Sequence, residues 1–289
     1  MIVDSKEILN KVKEVPLISS CASQLLQINN DPDHSLSDLV NIIKHDSALT
    51  ANILKVVNSA AFGGRAHVTA IERAVALLGE NIVVGIALTD TAAALFTNRL
   101  TGYAGEEGSL AHHDLKCAVA AKKIAGHAKK VIHADSAFTC GLLHDIGKAI
   151  LSNFLKGATG KLVNAIDAGK LKDFPDAEQK LFGVDHAYVG YEIAKHWNLP
   201  EPILSTIRYH HKPSEADDEL KPIVYSVHLG DMIASMSGSS SGADSMYCSL
   251  DSGYTEFIDL TNDDLGLIMM ESIQEYEKIK LSFGDKGDD

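Results

Sequence analysis

Apolar residues recur at intervals of three and four along most of this chain, the spacing of one face of an α-helix. Near the start, for example, Ile8, Leu9 and Val12 form one apolar stripe with lysines opposite. No stretch alternates with a two-residue period long enough to predict a β-strand. The pattern predicts an all-α protein, with helices over residues 4–14, 20–29, 71–78, 82–95, 111–128, 135–156, 159–168, 176–182, 186–197, 201–211, 222–236 and 262–280.

Glycine and polar residues interrupt this pattern most clearly over residues 98–110, the best candidate for a boundary between lobes. We therefore expect a two-lobed helical bundle, with an N-terminal lobe of residues 1–105 and a C-terminal lobe of residues 106–289. The Ser/Gly-rich residues 237–245 are predicted to form a flexible loop. The final residues 284–289 are predicted to fray.

The charge balance limits the partners of the chain. A formal net charge of −13 and a pI near 5.4 disfavour nonspecific binding to nucleic acid or to an anionic membrane, since both need basic surface. We expect neither partner.

Targeting and redox signals are equally sparse. The four cysteines are scattered without a Cys-x-x-Cys pair, which favours reduced thiols over a disulfide framework or zinc finger. No signal peptide is evident, and no apolar run approaches the roughly 20 residues that span a bilayer. These features predict a cytoplasmic protein.

Candidate chemistry begins with Cys140-Gly-Leu-Leu-His-Asp-Ile-Gly-Lys148, which reads as part of a buried helix. Each glycine costs a helix about 1 kcal/mol against alanine, and each buried charge needs a partner. A divalent metal ion would satisfy His144 and Asp145, while the glycines would let other helices approach closely. Lys148, one turn later, would point the same way as His144. A helix terminus with an incidental His-Asp pair remains the alternative.

Helical phase turns further ligand-type side chains inward on other helices. Any one of them could be a hydrogen-bonded core residue, Asp231 could cap a helix, and the set could satisfy its own members. Together they would be costly to bury without partners, and a metal centre would satisfy them all. The converging residues are His113, His144, Asp145, His186, His210, His211 and Asp231.

A second His-Asp dipeptide, His45-Asp46, lies at a junction between helices. Asp46 is placed to cap the helix that follows, so we expect a structural role there and no metal. Ser37 is predicted to cap the preceding helix.

At these residues the chain resembles the HDOD family, the HD-related output domain of bacteria, over nearly its whole length. In the first lobe the resemblance rests on Val15-Pro-Leu, Ile43-Lys-His-Asp-Ser-Ala-Leu-Thr, Val57-Asn-Ser-Ala-Ala-Phe-Gly63 and Ile71-Glu-Arg-Ala-Val-Ala-Leu-Leu-Gly79. In the second lobe it rests on His113 and its alanine-rich helix, Gly141-Leu-Leu-His-Asp-Ile-Gly-Lys148, Phe182-Gly-Val-Asp-His186, Trp197-Asn-Leu-Pro-Glu201 and His210-His-Lys-Pro213.

The HDOD family is similar to the HD and HD-GYP metal-dependent phosphohydrolases, so the resemblance implies an HD-phosphohydrolase-like C-terminal lobe. The metal ligands of those phosphohydrolases occur in the order of a first His, a His-Asp pair, a lone His, a His-His pair and a late Asp. The resemblance implies that the seven converging residues are the corresponding ligands here. Lys148 matches a lysine three residues after the Asp. Imidazole and carboxylate ligands suit divalent Fe, Mn, Ni or Zn, and the resemblance implies two ions sharing Asp145.

Two departures from the related families narrow this expectation. The Gly-Tyr-Pro motif that follows the His-His pair in HD-GYP proteins is absent, so specificity for cyclic-di-GMP is not implied. Ser109 stands where members with three metals carry a Glu, which argues against a third ion.

Two functions are therefore expected as alternatives. The first is a metal-dependent phosphohydrolase in bacterial signal transduction, with Asp145 and Lys148 as catalytic residues and a nucleotide-like phosphoester as substrate. The second is a non-catalytic regulatory module with a vestigial metal pocket, whose N-terminal lobe binds a signalling protein.

Overall fold

Helices form over most of the predicted segments, and among the described residues no β-strand is present. The structure, a computed structural model, describes residues 5–29, 33–58, 67–91, 95 and 98–282. The all-α prediction is confirmed. The helices are α1 (Ser5–Lys13), α2 (Ser20–Asn29), α3 (Leu36–Lys44), α4 (Ser47–Val57), α5 (Ile71–Leu78), α6 (Glu80–Thr91), α7 (Ser109–Ala125), α8 (Ala134–Leu143), α9 (Lys148–Leu155), α10 (Thr159–Asp167), α11 (Phe174–Phe182), α12 (His186–His196), α13 (Ile203–Tyr209), α14 (Lys221–Met236) and α15 (Asn262–Ser282).

Helix starts in the first lobe follow local capping chemistry. The Asp46 carboxylate accepts the Leu49 backbone N–H at 3.0 Å, so the second His-Asp dipeptide caps α4 as predicted. The predicted cap at Ser37 is wrong. Helix α3 begins after Ser35, whose N–H and hydroxyl both donate to Asp38, at 2.9 and 2.7 Å. The acid three residues along fixes the start two residues earlier.

Helix α7 is central to the C-terminal half of the chain and is buried along most of its length. It packs against α8, α14 and α15. Helix α8 approaches α7 so closely that a Cβ at Gly141 would lie 2.7 Å from Ala118 Cα. This bears out the expectation that glycine in the His144 segment admits a neighbouring helix.

The two halves of the chain pack on one another. Helix α1 lies against α9 and α12, and α6 lies against α8. Trp197 also donates its indole N–H to the carbonyl of Pro16 at 2.9 Å. One apolar cluster therefore runs through residues of both halves, such as Ile8, Leu88 and Val189. The helices that carry the candidate site are thus braced by the N-terminal ones.

The segment predicted to separate the lobes is itself packed. Leu100 and Tyr103 within it are buried, and the short 3₁₀ turn Thr101–Tyr103 lies against α9. The division at residues 105 and 106 stays a prediction. The tail predicted to fray, residues 284–289, lies outside the described residues. In the described part of the chain, no helix is long and apolar enough to cross a membrane.

Candidate metal centre

The His144 segment is a turn between two helices, and the prediction of one helix over residues 135–156 is wrong. Helix α8 ends at Leu143 and α9 begins at Lys148. Between them the backbone winds more tightly, with N–H groups bonding to carbonyls three residues back, as from Ile146 to Leu143 and from Lys148 to Asp145. The turn directs His144, Asp145 and Lys148 to one place.

A tertiary contact holds this turn. A Cβ at Gly147 would lie 2.0 Å from the carbonyl oxygen of His186 and 2.5 Å from the backbone nitrogen of Gly190. Only glycine permits that approach, which brings the start of α12 against the turn. His186 is thereby delivered beside Asp145.

Asp145 lies at the middle of the cluster, with four imidazoles around its carboxylate. Its Oδ1 is 3.4 Å from His186 Nε2 and 3.5 Å from His210 Nε2. Its Oδ2 is 3.6 Å from His144 Nε2 and 3.7 Å from His113 Nε2. Each carboxylate oxygen therefore faces its own pair of ring nitrogens.

The two remaining predicted residues complete the cluster. Asp231 Oδ1 is 3.0 Å from His113 Nε2, and His211 Nε2 is 2.9 Å from His186 Nε2. His211 is half-buried, whereas the other six are at most 4% exposed. The structure thus brings together all seven residues that the sequence predicts to converge.

In each of the four imidazoles around Asp145, the second ring nitrogen, Nδ1, makes a hydrogen bond to an oxygen. Because a carbonyl or carboxylate oxygen only accepts, the Nδ1 of each ring carries a hydrogen, and in the neutral form of the ring Nε2 offers a lone pair to the centre. The acceptors are Ser239 O for His113 at 2.7 Å, Gly141 O for His144 at 2.8 Å, Glu178 Oε2 for His186 at 2.7 Å and Ile207 O for His210 at 2.9 Å.

Several inward atoms lack hydrogen-bond partners despite complete burial. They are the Nε2 atoms of His113, His144 and His210 and the Oδ1 of Asp145. Unpartnered buried polar atoms are rare because each costs about 1–3 kcal/mol. Ligand-type atoms within 4.8 Å of one another form two groups that share Asp145, one with His186, His210 and His211 and the other with His113, Asp114 and His144. The donor set fits divalent cations.

The electrostatics hold Asp145 and His144 in the ligand form, whereas His186 carries an extra proton at pH 7. Burial alone would raise the pKa of Asp145, but the charge of Lys148, then His144 and the nearby rings of His186 and His210, holds that pKa well below its usual range. Burial also lowers the pKa of His144 to about 4, so its ring is neutral at pH 7. Burial opposes a charge on His186 as well, but Glu178 and Asp145 together raise its pKa to about 10.

Lys148 is almost fully buried and is held between two acids. Its Nζ contacts the carboxylates of Asp145 and Asp244 and donates to Ser241 Oγ at 3.0 Å. Asp244 and Ser241 belong to the segment predicted to be a flexible loop, yet both are buried. The loop is packed against the site because its polar atoms bond to Lys148 and, through Ser239, to His113.

Three acidic residues of the site are not among those predicted from the sequence. Glu178 had a signal, since it shares a helical face with Phe174 and Phe182, and an acid on an apolar face needs a partner. Asp114 follows His113 directly and is buried because α7 is enclosed on nearly all sides. Burial, and then Asp145, raise the pKa of Asp114 well above its ordinary value. Asp244 had no signal, because its Ser/Gly-rich surroundings resemble a solvated loop.

Comparison with known proteins agrees with this fold. An HDOD domain protein of unknown function from Geobacter sulfurreducens is 25% identical, with a TM-score of 0.73 over 96% of this chain and 97% of that one. A protein proposed to be a phosphohydrolase, from Shewanella amazonensis, shares the fold at 20% identity, with a TM-score of 0.68 over 95% of this chain and 97% of that one.

A longer relative is known by sequence. An uncharacterized protein of Treponema pallidum (strain Nichols) is 29% identical over 239 residues, which is 78% of this chain and 43% of that protein. This chain therefore spans less than half of the length of its curated relative. The sequence profile of the HDOD domain matches residues 15–213, a range that takes in helices of both halves. The chain belongs to the HDOD domain family.

Proposed function

We propose that this protein is a metal-dependent phosphohydrolase acting in bacterial signal transduction, on a phosphodiester or phosphomonoester of a nucleotide-like substrate. One observation carries the proposal. Four imidazole Nε2 atoms surround the two oxygens of Asp145, and three of them have no hydrogen-bond partner. A carboxylate placed this way is suited to bridge two cations.

The proposed ligands divide between two positions. His186, His210 and His211 would hold one ion and His113, His144 and Asp231 the other, with Asp145 shared. Divalent ions in such a centre supply Lewis acidity and lower the pKa of a water molecule to near neutrality. Fe, Mn, Ni or Zn suits these ligands better than Mg.

The protein's own residues would fix the geometry. The four Nδ1 hydrogen bonds orient the rings before any ligand arrives, so little reorganisation is needed. Lys148 holds Asp145 ionised and places a positive charge beside the centre. We assign Asp145 and Lys148 the catalytic roles. Lys148 would offset charge on the phosphoryl oxygens when its contact with Asp244 is broken.

The contacts of Lys148 favour a second candidate as well. Its charge is already matched by Asp145 and Asp244, and a buried, neutralised lysine leaves little attraction for a phosphate. That arrangement fits a regulatory module with a vestigial pocket, whose N-terminal helices bind a signalling protein.

Metal analysis and hydrolysis assays separate the candidates. The purified wild type is expected to bind divalent metal and, after loading with Mn²⁺ or Fe²⁺, to hydrolyse a chromogenic phosphodiester or phosphomonoester. Asp145→Asn should lose both properties. Asp46→Asn is the matched control, since it alters the other His-Asp dipeptide and asparagine still caps a helix.

Each outcome has a distinct meaning. Wild-type protein that takes up no metal would refute both the centre and the enzyme. Metal uptake without hydrolysis of either ester would favour the regulatory module. That module gains further if Asp145→Asn, free of metal, still captures a partner protein that the wild type binds.

A further inference from the structure

Cys248 lies beside the proposed centre, on its more exposed side. Its sulfur, a ligand atom of His211 and a carboxylate oxygen of Asp231 all lie within 4.8 Å of one another. No cysteine was assigned a role from the sequence, because none has a second cysteine at metal-binding spacing.

The other cysteines have different surroundings. Cys21 Sγ lies 3.9 Å from the carbonyl of Ile42, and Cys117 Sγ lies 3.7 Å from that of Val227. Cys140 is fully buried in α8. In the part of the chain that the structure describes, Cys248 alone among them falls in a group of metal-ligand type.

The loop that carries Cys248 is fixed at several points. Asp244 contacts Lys148, Ser239 accepts from His113, and the Tyr247 hydroxyl donates to Asp167 at 2.9 Å. These bonds hold the loop, and with it the sulfur, next to the centre. Its position is therefore a property of the fold.

The neighbouring atoms are suited to a cation. His113 Nε2 is buried, has no hydrogen-bond partner and lies 3.0 Å from Asp231 Oδ1. Zinc bonds of about 2.3 Å to sulfur and about 2.1 Å to nitrogen or oxygen place two tetrahedral ligands about 3.6 Å from each other. Atoms already within 4.8 Å of one another therefore have to approach by about 1.2 Å at most.

We propose that Cys248 is a thiolate ligand of the metal centre, at the edge where His211 of one proposed ion position and Asp231 of the other both lie near its sulfur, and that it adapts this edge to a thiophilic divalent cation such as Zn²⁺. The inference rests on the metal centre of the proposed function. Burial, and then the charge of Asp231, raise the pKa of the Cys248 thiol, so the cation has to displace its proton. On binding, the S–H bond breaks, its proton passes to solvent, and the sulfur donates an electron pair to the ion. A soft ligand favours Zn²⁺ or Fe²⁺ over Mg²⁺ and Mn²⁺.

Cobalt spectroscopy tests this ligand directly. Metal-free protein is titrated with Co²⁺ without oxygen, and visible ligand-field bands report occupation of the centre. A near-ultraviolet charge-transfer band reports a cobalt–sulfur bond. The wild type and a Cys21→Ser control should show both signals. Cys248→Ser should keep the ligand-field bands and lose the charge-transfer band. It should also bind Zn²⁺ at least about 10-fold more weakly, because removing even a hydrogen bond to a metal-bound histidine lowers metal affinity by that factor.

The outcomes distinguish this inference from the proposed function. Ligand-field bands without a charge-transfer band, or a charge-transfer band that persists in Cys248→Ser, would overturn the role of Cys248 and leave the centre standing. No cobalt signal in the wild type would overturn both.

A second measurement needs no variant. Zn²⁺ should slow the alkylation of Cys248 by iodoacetamide in the wild type, as read by mass spectrometry. Equal rates with and without Zn²⁺ would contradict the proposal, even if Cys248→Ser failed to fold.

Discussion

Replacing Glu178 by glutamine should weaken metal binding while leaving the fold intact. Glu178 is fully buried and lies outside the proposed ligand set. Its Oε2 accepts from the backbone N–H of His186 at 2.8 Å and from His186 Nδ1 at 2.7 Å, and its Oε1 accepts from the Tyr103 hydroxyl at 2.6 Å. A carboxylate behind a ligand histidine orients the ring and raises its basicity.

Glutamine is the sharpest perturbation here because it can keep all three hydrogen bonds. Its amide oxygen can accept both bonds from His186, and its NH₂ group can donate to the Tyr103 oxygen. The Tyr103 hydroxyl then accepts instead of donating, so what is lost is the negative charge and the acceptor for that hydroxyl hydrogen. Losing such a partner weakens metal affinity by about 10- to 100-fold, which corresponds to about 1.4–2.8 kcal/mol of binding free energy.

The affinity is measured by competition with a chromophoric chelator for Zn²⁺ or Mn²⁺. The unfolding free energy of the metal-free protein is measured separately by urea titration. Tyr103→Phe is the matched control, since it removes one hydrogen bond to Glu178 and keeps the charge. It should change the affinity by less than about tenfold, the smallest loss expected for glutamine. Glu178→Ala should destabilise the fold as well, because it strands three buried donors at about 1–3 kcal/mol each. Wild-type affinity in Glu178→Gln would refute the reasoning.

Three further predictions follow from the same geometry. Gly147→Ala should lower the unfolding free energy by about 1–3 kcal/mol or more in urea unfolding, because its Cβ would overlap the His186 carbonyl. Gly160→Ala in α10 is the control, since no atom lies within 4 Å of its Cβ, and it should be neutral or stabilising. In metal-free protein kept in a chelator, the stabilisation from the His186–Glu178 pair should be complete below pH 6.5 and fade as the pH rises towards 10. The reason is that the folded-state pKa of His186 is raised from 6.5 to about 10. An unfolding free energy that does not change with pH would contradict this. Metal binding at pH 7 should release protons, His186 giving up its extra one, and calorimetry in buffers of different ionisation enthalpy should detect this; no buffer dependence would count against His186 as a ligand.

The sequence predicted the helices well because their apolar stripes are local patterns. It also indicated which histidines turn inward, since helical phase fixes side-chain direction relative to the apolar face. The one large error in the site segment concerns residues 144–147, which read as continuous helix. Nothing local stops a helix there, and the tight turn is paired with a contact between Gly147 and the backbone of His186.

What the sequence alone determined is the helical fold class, the kinds of ligand available and the family resemblance. What only the tertiary structure decided is which groups meet. Glu178 stands behind His186, Asp244 shares Lys148 with Asp145, and Cys248 lies beside His211 and Asp231. The physical reason is that helical periodicity gives the direction of a side chain from its own helix. Which atoms it reaches depends on how distant helices and the Ser/Gly-rich loop pack, and that packing is settled by contacts between residues far apart in the chain.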